Sequence, residues 1–209
     1  MKIVFLGDSI TDMSRSRETS ETWYNSEGFT YALFVRAELE REDPRAYEIR
    51  TRGVSGNRSV DLYARLKEDC WNLRPDVISI LIGVNDVWHS INDRGVELER
   101  YDKIYRMLLD DTKKVLPQAR FMLLEPFCLQ GEATQAHPDV FAHVKEYAAA
   151  AKQIAHDYGC VWVPLQKAFE EKAAKFGVFP YLYDGVHPNV SGARLIADEW
   201  LKAFAQLKK

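Results

Sequence analysis

Apolar runs of three to six residues recur along this chain, at Ile3–Leu6, 47–52 in a weaker form, Val77–Ile82, Phe121–Leu124 and Val161–Val163. Between them lie longer segments with apolar side chains every three or four positions: Thr30–Leu39, Ser59–Trp71, Tyr101–Leu116, Leu195–Leu207, and the series Val140, Val144, Tyr147, Ala151, Ile154, Tyr158. The short runs have strand length. The spaced segments have the period of helices that bury one stripe against a sheet. Regular alternation of the two predicts parallel strands joined by right-handed helical crossovers, so the expected fold is α/β, a three-layer α/β/α sandwich with a five-stranded parallel sheet. Ligands of such sheets bind beyond the carboxyl ends of the strands.

A chain of 209 residues is the length of one domain, read here as 1–209. With 28 Lys+Arg against 31 Asp+Glu it lacks the basic excess of a nucleic-acid or membrane-surface binder. No run approaches the ~18 apolar residues of a membrane span. Only four apolar residues precede Gly7-Asp8, too few for a signal peptide, so the expected location is the cytoplasm. Cys70, Cys128 and Cys160 are odd in number and widely spaced, which points to buried thiols rather than a disulfide framework. No HExxH pattern or Cys/His cluster is present, nor a GxGxxG or GxxxxGK[ST] loop, so neither a metal nor a nucleotide cofactor is expected.

Three strand ends carry polar clusters: Gly7-Asp8-Ser9-Ile10-Thr11, Gly53-Val54-Ser55-Gly56-Asn57 and Gly83-Val84-Asn85-Asp86. A serine becomes a useful nucleophile only with a histidine to take its proton, a carboxylate to orient that histidine, and donors for the developing oxyanion. Gly-Asp-Ser alone is also ordinary turn chemistry. Two Asp-x-x-His pairs compete for the acid and base roles, Asp86/His89 and Asp184/His187. The second is preferred, because Asp86 and His89 stand where the chain leaves the third strand and are needed there for turn or capping duty. In a turn of helix-like geometry Asp184 would reach the Nδ1 proton of His187. Aromatic residues at the rim, Trp23, Tyr24, Trp88, Phe127, Tyr181 and Tyr183, offer faces on which a sugar ring can stack. Trp88 and Trp23, with Asp8 beside the serine, are the expected substrate contacts. The polar stretch Asp12–Glu27 is read as a solvated loop or a lid, and its polarity favours a hydrated substrate.

Taken in order, Gly-Asp-Ser, the glycine of Val-Ser-Gly-Asn, Gly-x-Asn-Asp and the C-terminal Asp-x-x-His resemble the four blocks of the SGNH (GDSL-type) hydrolases, from Gly7 to His187. The resemblance implies a flavodoxin-like sheet and a serine esterase. It makes Ser9 the nucleophile, Asp184 and His187 the rest of the triad, and Gly56 and Asn85 the partners of the Ser9 N–H in the oxyanion hole. The stretches beginning at Gly53 and Ile82 are most similar to bacterial intracellular acetylxylan esterases. That likeness implies an acetylated oligosaccharide as substrate and a homo-oligomer. Two other readings are a lysophospholipase or acyl-thioesterase with the same machinery, and a non-catalytic carbohydrate-binding protein on the same fold.

Overall fold

The computed structural model describes residues 1–17, 26–41 and 43–208. Strands β1 (Lys2–Gly7), β2 (Glu48–Gly53), β3 (Val77–Leu81), β4 (Arg120–Leu124) and β5 (Val161–Val163) form a parallel sheet in the order β2-β1-β3-β4-β5. Helices intervene throughout: α1 (Ser9–Asp12), α2 (Tyr31–Leu39), α3 (Ser59–Ala64), α4 (Leu66–Asp69), α5 (Val84–Trp88), α6 (Leu98–Val115), α7 (Glu132–Ala136), α8 (Pro138–Phe141), α9 (Val144–Asp157), α10 (Gln166–Phe176) and α11 (Val190–Phe204). The expected α/β sandwich is therefore the observed fold.

Position in the sheet explains how each strand looks in sequence. The interior strands β1 and β3 are buried along nearly their whole length and read as continuous apolar runs. Edge strand β2 alternates, with Ile49 and Thr51 buried while Arg50 and Arg52 are half-buried on the other face, which is why 47–52 gives the weaker signal. On one side of the sheet the Phe5 ring meets both Tyr31 of α2, at 5.7 Å, and Trp200 of α11, at 5.3 Å. Trp200 also stacks on Phe204 and satisfies its indole N–H by donating to the Ser79 hydroxyl in β3, 2.9 Å away. The opposite layer is made by α3, α6 and α9, where the α6 stripe Tyr101, Tyr105, Leu108, Leu109 and Thr112 is fully buried.

Several helix boundaries differ from the sequence expectation. The segment Ser59–Trp71 breaks at Arg65, which leaves helical geometry at φ −103°, ψ 7° and sends its guanidinium to the carbonyls of Gly7 and Arg52 and to Asn57 and Asp69. The series from Val140 spans two helices, α8 and α9, separated by a turn at Ala142-His143. Helix α10 was not anticipated. Phe169, Ala173 and Phe176 stand at helical spacing, but only Phe169 of its eleven residues is fully buried. No helix among the described residues is long and apolar enough to cross a membrane.

The strand order fixes where a site can form. From β1 the chain moves to β2 on one side, and from β3 to β4 on the other, so a crevice opens beyond the carboxyl ends of the adjacent strands β1 and β3. Register pairs Gly7 with both Gly53 and Leu81, which brings the three polar strand ends to one rim.

Candidate active site

Strand β1 ends at Gly7, Asp8 caps α1, and Ser9 is the first helical residue, so the serine sits on the tight turn between strand and helix. Its Oγ lies 2.8 Å from Nε2 of His187, a residue 178 positions later. The other ring nitrogen, Nδ1, is 2.7 Å from Asp184 Oδ2. With Nδ1–H donating to the carboxylate, Nε2 is left as the acceptor for the serine hydroxyl. Burial pushes the Asp184 carboxyl up, but the His187 ring and the backbone N–H groups of His187 and Val186 outweigh it and hold the acid below its ordinary range. Such a chain of three groups can move a proton off an attacking hydroxyl and return it to a leaving alcohol.

The Asp184–His187 segment is a loop, not the helix-like turn expected from the spacing. A bridge between Leu182 and Pro188 closes it. Oδ1 of Asp184 accepts the N–H groups of Val186 (2.9 Å) and His187 (2.8 Å), which frees Oδ2 for the imidazole. Gly185 takes φ +97°, a conformation that a side chain would strain, and its carbonyl accepts the Leu129 N–H at 2.8 Å. The Ala133 N–H binds the Asp184 carbonyl at 3.0 Å, so the loop after β4 grips the acid's own backbone.

Donors converge from the other two strand ends. The N–H of Ser9, as the first of its helix, has no intrahelical partner, and neither it nor the N–H of Gly56 has a hydrogen-bond partner among the described residues. Gly56 sits at φ +81° in the turn after β2. Asn85, nearly buried in α5, donates one amide proton to the Asn57 carbonyl at 3.1 Å and keeps the second. Two carboxylates brace this loop from either side, Asp12, given no role from the sequence, and Asp86, expected there in turn or capping duty. Asp12 at the end of α1 accepts both the N–H and the hydroxyl of Ser55, at 2.9 and 2.8 Å. Asp86 in α5 accepts the N–H and the hydroxyl of Ser59 at the start of α3. Their partners lie 43 and 27 positions away, so no local spacing signals them.

A family model described as GDSL-like Lipase/Acylhydrolase matches residues 5–195. The chain belongs to that family. An acetylxylan esterase from Geobacillus stearothermophilus is 31% identical over 207 residues, covering 96% of this chain and 92% of that protein. Among solved structures, a protein from Parabacteroides merdae described as a GDSL-like lipase superposes with a TM-score of 0.90 at 34% identity, over 98% of this chain and 95% of its own. Axe2, an acetylxylan esterase from G. stearothermophilus, gives 0.86 at 31%, over 97% and 93%. The chain is accordingly a carboxylic ester hydrolase.

Asp8 does not meet the expectation of a substrate contact in this GDSL hydrolase. Its side chain is fully buried beneath the serine, with Oδ1 accepting the Ile10 N–H at 2.9 Å and Oδ2 without a partner. Burial pushes its carboxyl from 3.8 up to about 7, against the opposing pull of the Ile10 N–H and His187. The folded state therefore holds a proton that the unfolded chain releases between about pH 4 and 7, and stability falls as pH rises through that window. Asn keeps the oxygen that caps α1 and cannot ionise. Asp8→Asn is expected to match wild type at pH 4 and to gain about 2–4 kcal/mol at pH 8. Urea unfolding at both values checks this, and a pH-independent difference would contradict it.

Two aromatic rings flank the imidazole. Tyr183 stacks on His187 at 5.5 Å with planes 13° apart and is 46% exposed, while half-buried Trp88 lies 5.8 Å from the imidazole and edge-on to Phe141. Trp23 and Tyr24 lie outside the described residues. The competing pair separates: Asp86 is committed to Ser59, capping a neighbouring helix rather than its own, and makes no bond to the His89 ring. Among the described residues no three His, Cys, Asp or Glu side chains converge as metal ligands.

Proposed function

We propose that the protein is a serine esterase that removes acetyl groups from xylo-oligosaccharides or related sugars, with Ser9, His187 and Asp184 as its triad. The observation that carries the reading is the unbroken chain of contacts from Ser9 Oγ through both nitrogens of His187 to Asp184, 2.8 and 2.7 Å long. His187 takes the Ser9 proton as Oγ attacks the ester carbonyl. The Ser9 and Gly56 N–H groups and the free Asn85 amide proton receive the oxyanion. Collapse of the tetrahedral adduct passes the proton from His187 to the departing sugar oxygen, leaving an acetyl-serine. Water then attacks that ester by the same steps, with His187 again as base.

Sugar acetate as substrate is supported by the acetylxylan esterase relative and by the aromatic faces of Tyr183 and Trp88 beside the base. The same reading carries a cytoplasmic homo-oligomer, for which exposed Phe176, Phe179 and Val190 supply apolar surface. Acetate release from acetylated xylo-, manno- and gluco-oligosaccharides, together with a series of acyl chain lengths, tests the substrate. Xylo-oligosaccharides are expected to lead and acetyl esters to outrun octanoyl esters. The reverse chain-length order would replace this reading with a lysophospholipase or thioesterase.

A further inference from the structure

We infer that His89, which the triad leaves unused, is a specificity-determining residue whose imidazole binds a hydroxyl of the alcohol portion of the ester. This inference rests on the sugar-ester reading above. His89 caps the C-terminal end of α5 in helical geometry, four positions after Asn85, so the two side chains share a face. Its ring borders Gly56. A Cβ built on that glycine would meet His89 Cε1 at 3.9 Å, and no other atom within 4 Å among the described residues beyond its chain neighbours. The preceding residue, Trp88, turns instead toward His187, so these successive side chains border two different members of the site, the imidazole and Gly56.

The ring is half-buried, and neither of its nitrogens has a hydrogen-bond partner among the described residues. The charged groups facing it are Arg94 and Arg58, opposed by Asp61. Burial and the two guanidinium groups outweigh the carboxylate and hold the imidazole below its ordinary range, hence neutral at pH 7. A neutral imidazole offers one donor and one acceptor. A hydroxyl matches both, whereas an alkyl or aryl leaving group matches neither.

The test compares kcat/KM of wild type, His89→Ala and His89→Gln on a mono-acetylated xylotriose, on glycerol monoacetate and on ethyl acetate. For His89→Ala the ratio of each hydroxylated ester to ethyl acetate is expected to fall about tenfold, mainly through KM, and Gln, which keeps a donor and an acceptor, should recover most of it. A merely structural role would lower all three substrates in parallel. Parallel losses, unchanged ratios, or turnover of longer acyl chains gained without loss of the ratio would each overturn the inference. If wild type spares the xylotriose ester while the glycerol ratio still collapses in His89→Ala, the sugar assignment fails and the role of His89 stands.

Discussion

Ser9→Ala is expected to lower kcat on p-nitrophenyl acetate by about four orders of magnitude or more, with the fold intact. The side chain removed is small and has one partner, His187 Nε2, so nothing in the core or in the cap of α1 is lost with it. What remains is the set of oxyanion donors and the imidazole, which together give residual hydrolysis by water. Rates measured alongside labelling by a fluorophosphonate probe decide the matter. Wild type should react covalently at Ser9 and the variant should not. A variant that hydrolyses at the wild-type rate would remove Ser9 from the chemistry. A wild type that neither labels nor hydrolyses would leave a binding protein on this fold.

Asp184→Asn should cost about 10³–10⁴ in kcat, a loss close to that of removing the serine although the substitution changes one atom type. The amide oxygen can still accept the Val186 and His187 N–H groups that shape the loop. In place of Oδ2 the imidazole then meets an NH2 donor, so its proton moves to Nε2 and the nitrogen facing Ser9 can no longer accept. Thermal unfolding within a few degrees of wild type, beside the kinetic loss, separates this tautomer effect from a collapsed loop. A variant that keeps more than a tenth of wild-type kcat would show that Asp184 does not set the tautomer.

What the sequence discloses depends on how far each signal has to travel. Strands β1 and β3 are legible because burial on both faces demands continuous apolar residues, while Arg50 and Arg52 on the edge strand β2 blur the same signal. Helix α10 is faint because its helical spacing rests on Phe169, Ala173 and Phe176, of which only Phe169 is buried. At the site, the residue types were readable at each strand end, but their juxtaposition was not. Spacing gave Asp184 and His187 as neighbours for a geometric reason that the structure replaces: the acid's own Oδ1 builds the loop. No spacing could separate Asp184/His187 from Asp86/His89. That distinction rests on Asp86 being consumed by Ser59, a long-range bond between α5 and α3. Asp8 misled because a polar residue beside a serine on a rim invites a surface role, whereas the turn rotates it inward.

The 178-position separation between Ser9 and His187 bears on synthesis as well as on chemistry. A ribosome delivers the hydroxyl 178 residues before the imidazole, and α11, which seats Trp200 on Ser79, later still. Hydrolytic competence cannot arise on the nascent polypeptide while the segment carrying His187 is inside the exit tunnel. Onset of ester cleavage would thus serve as a clock for the docking of that segment against Ser9.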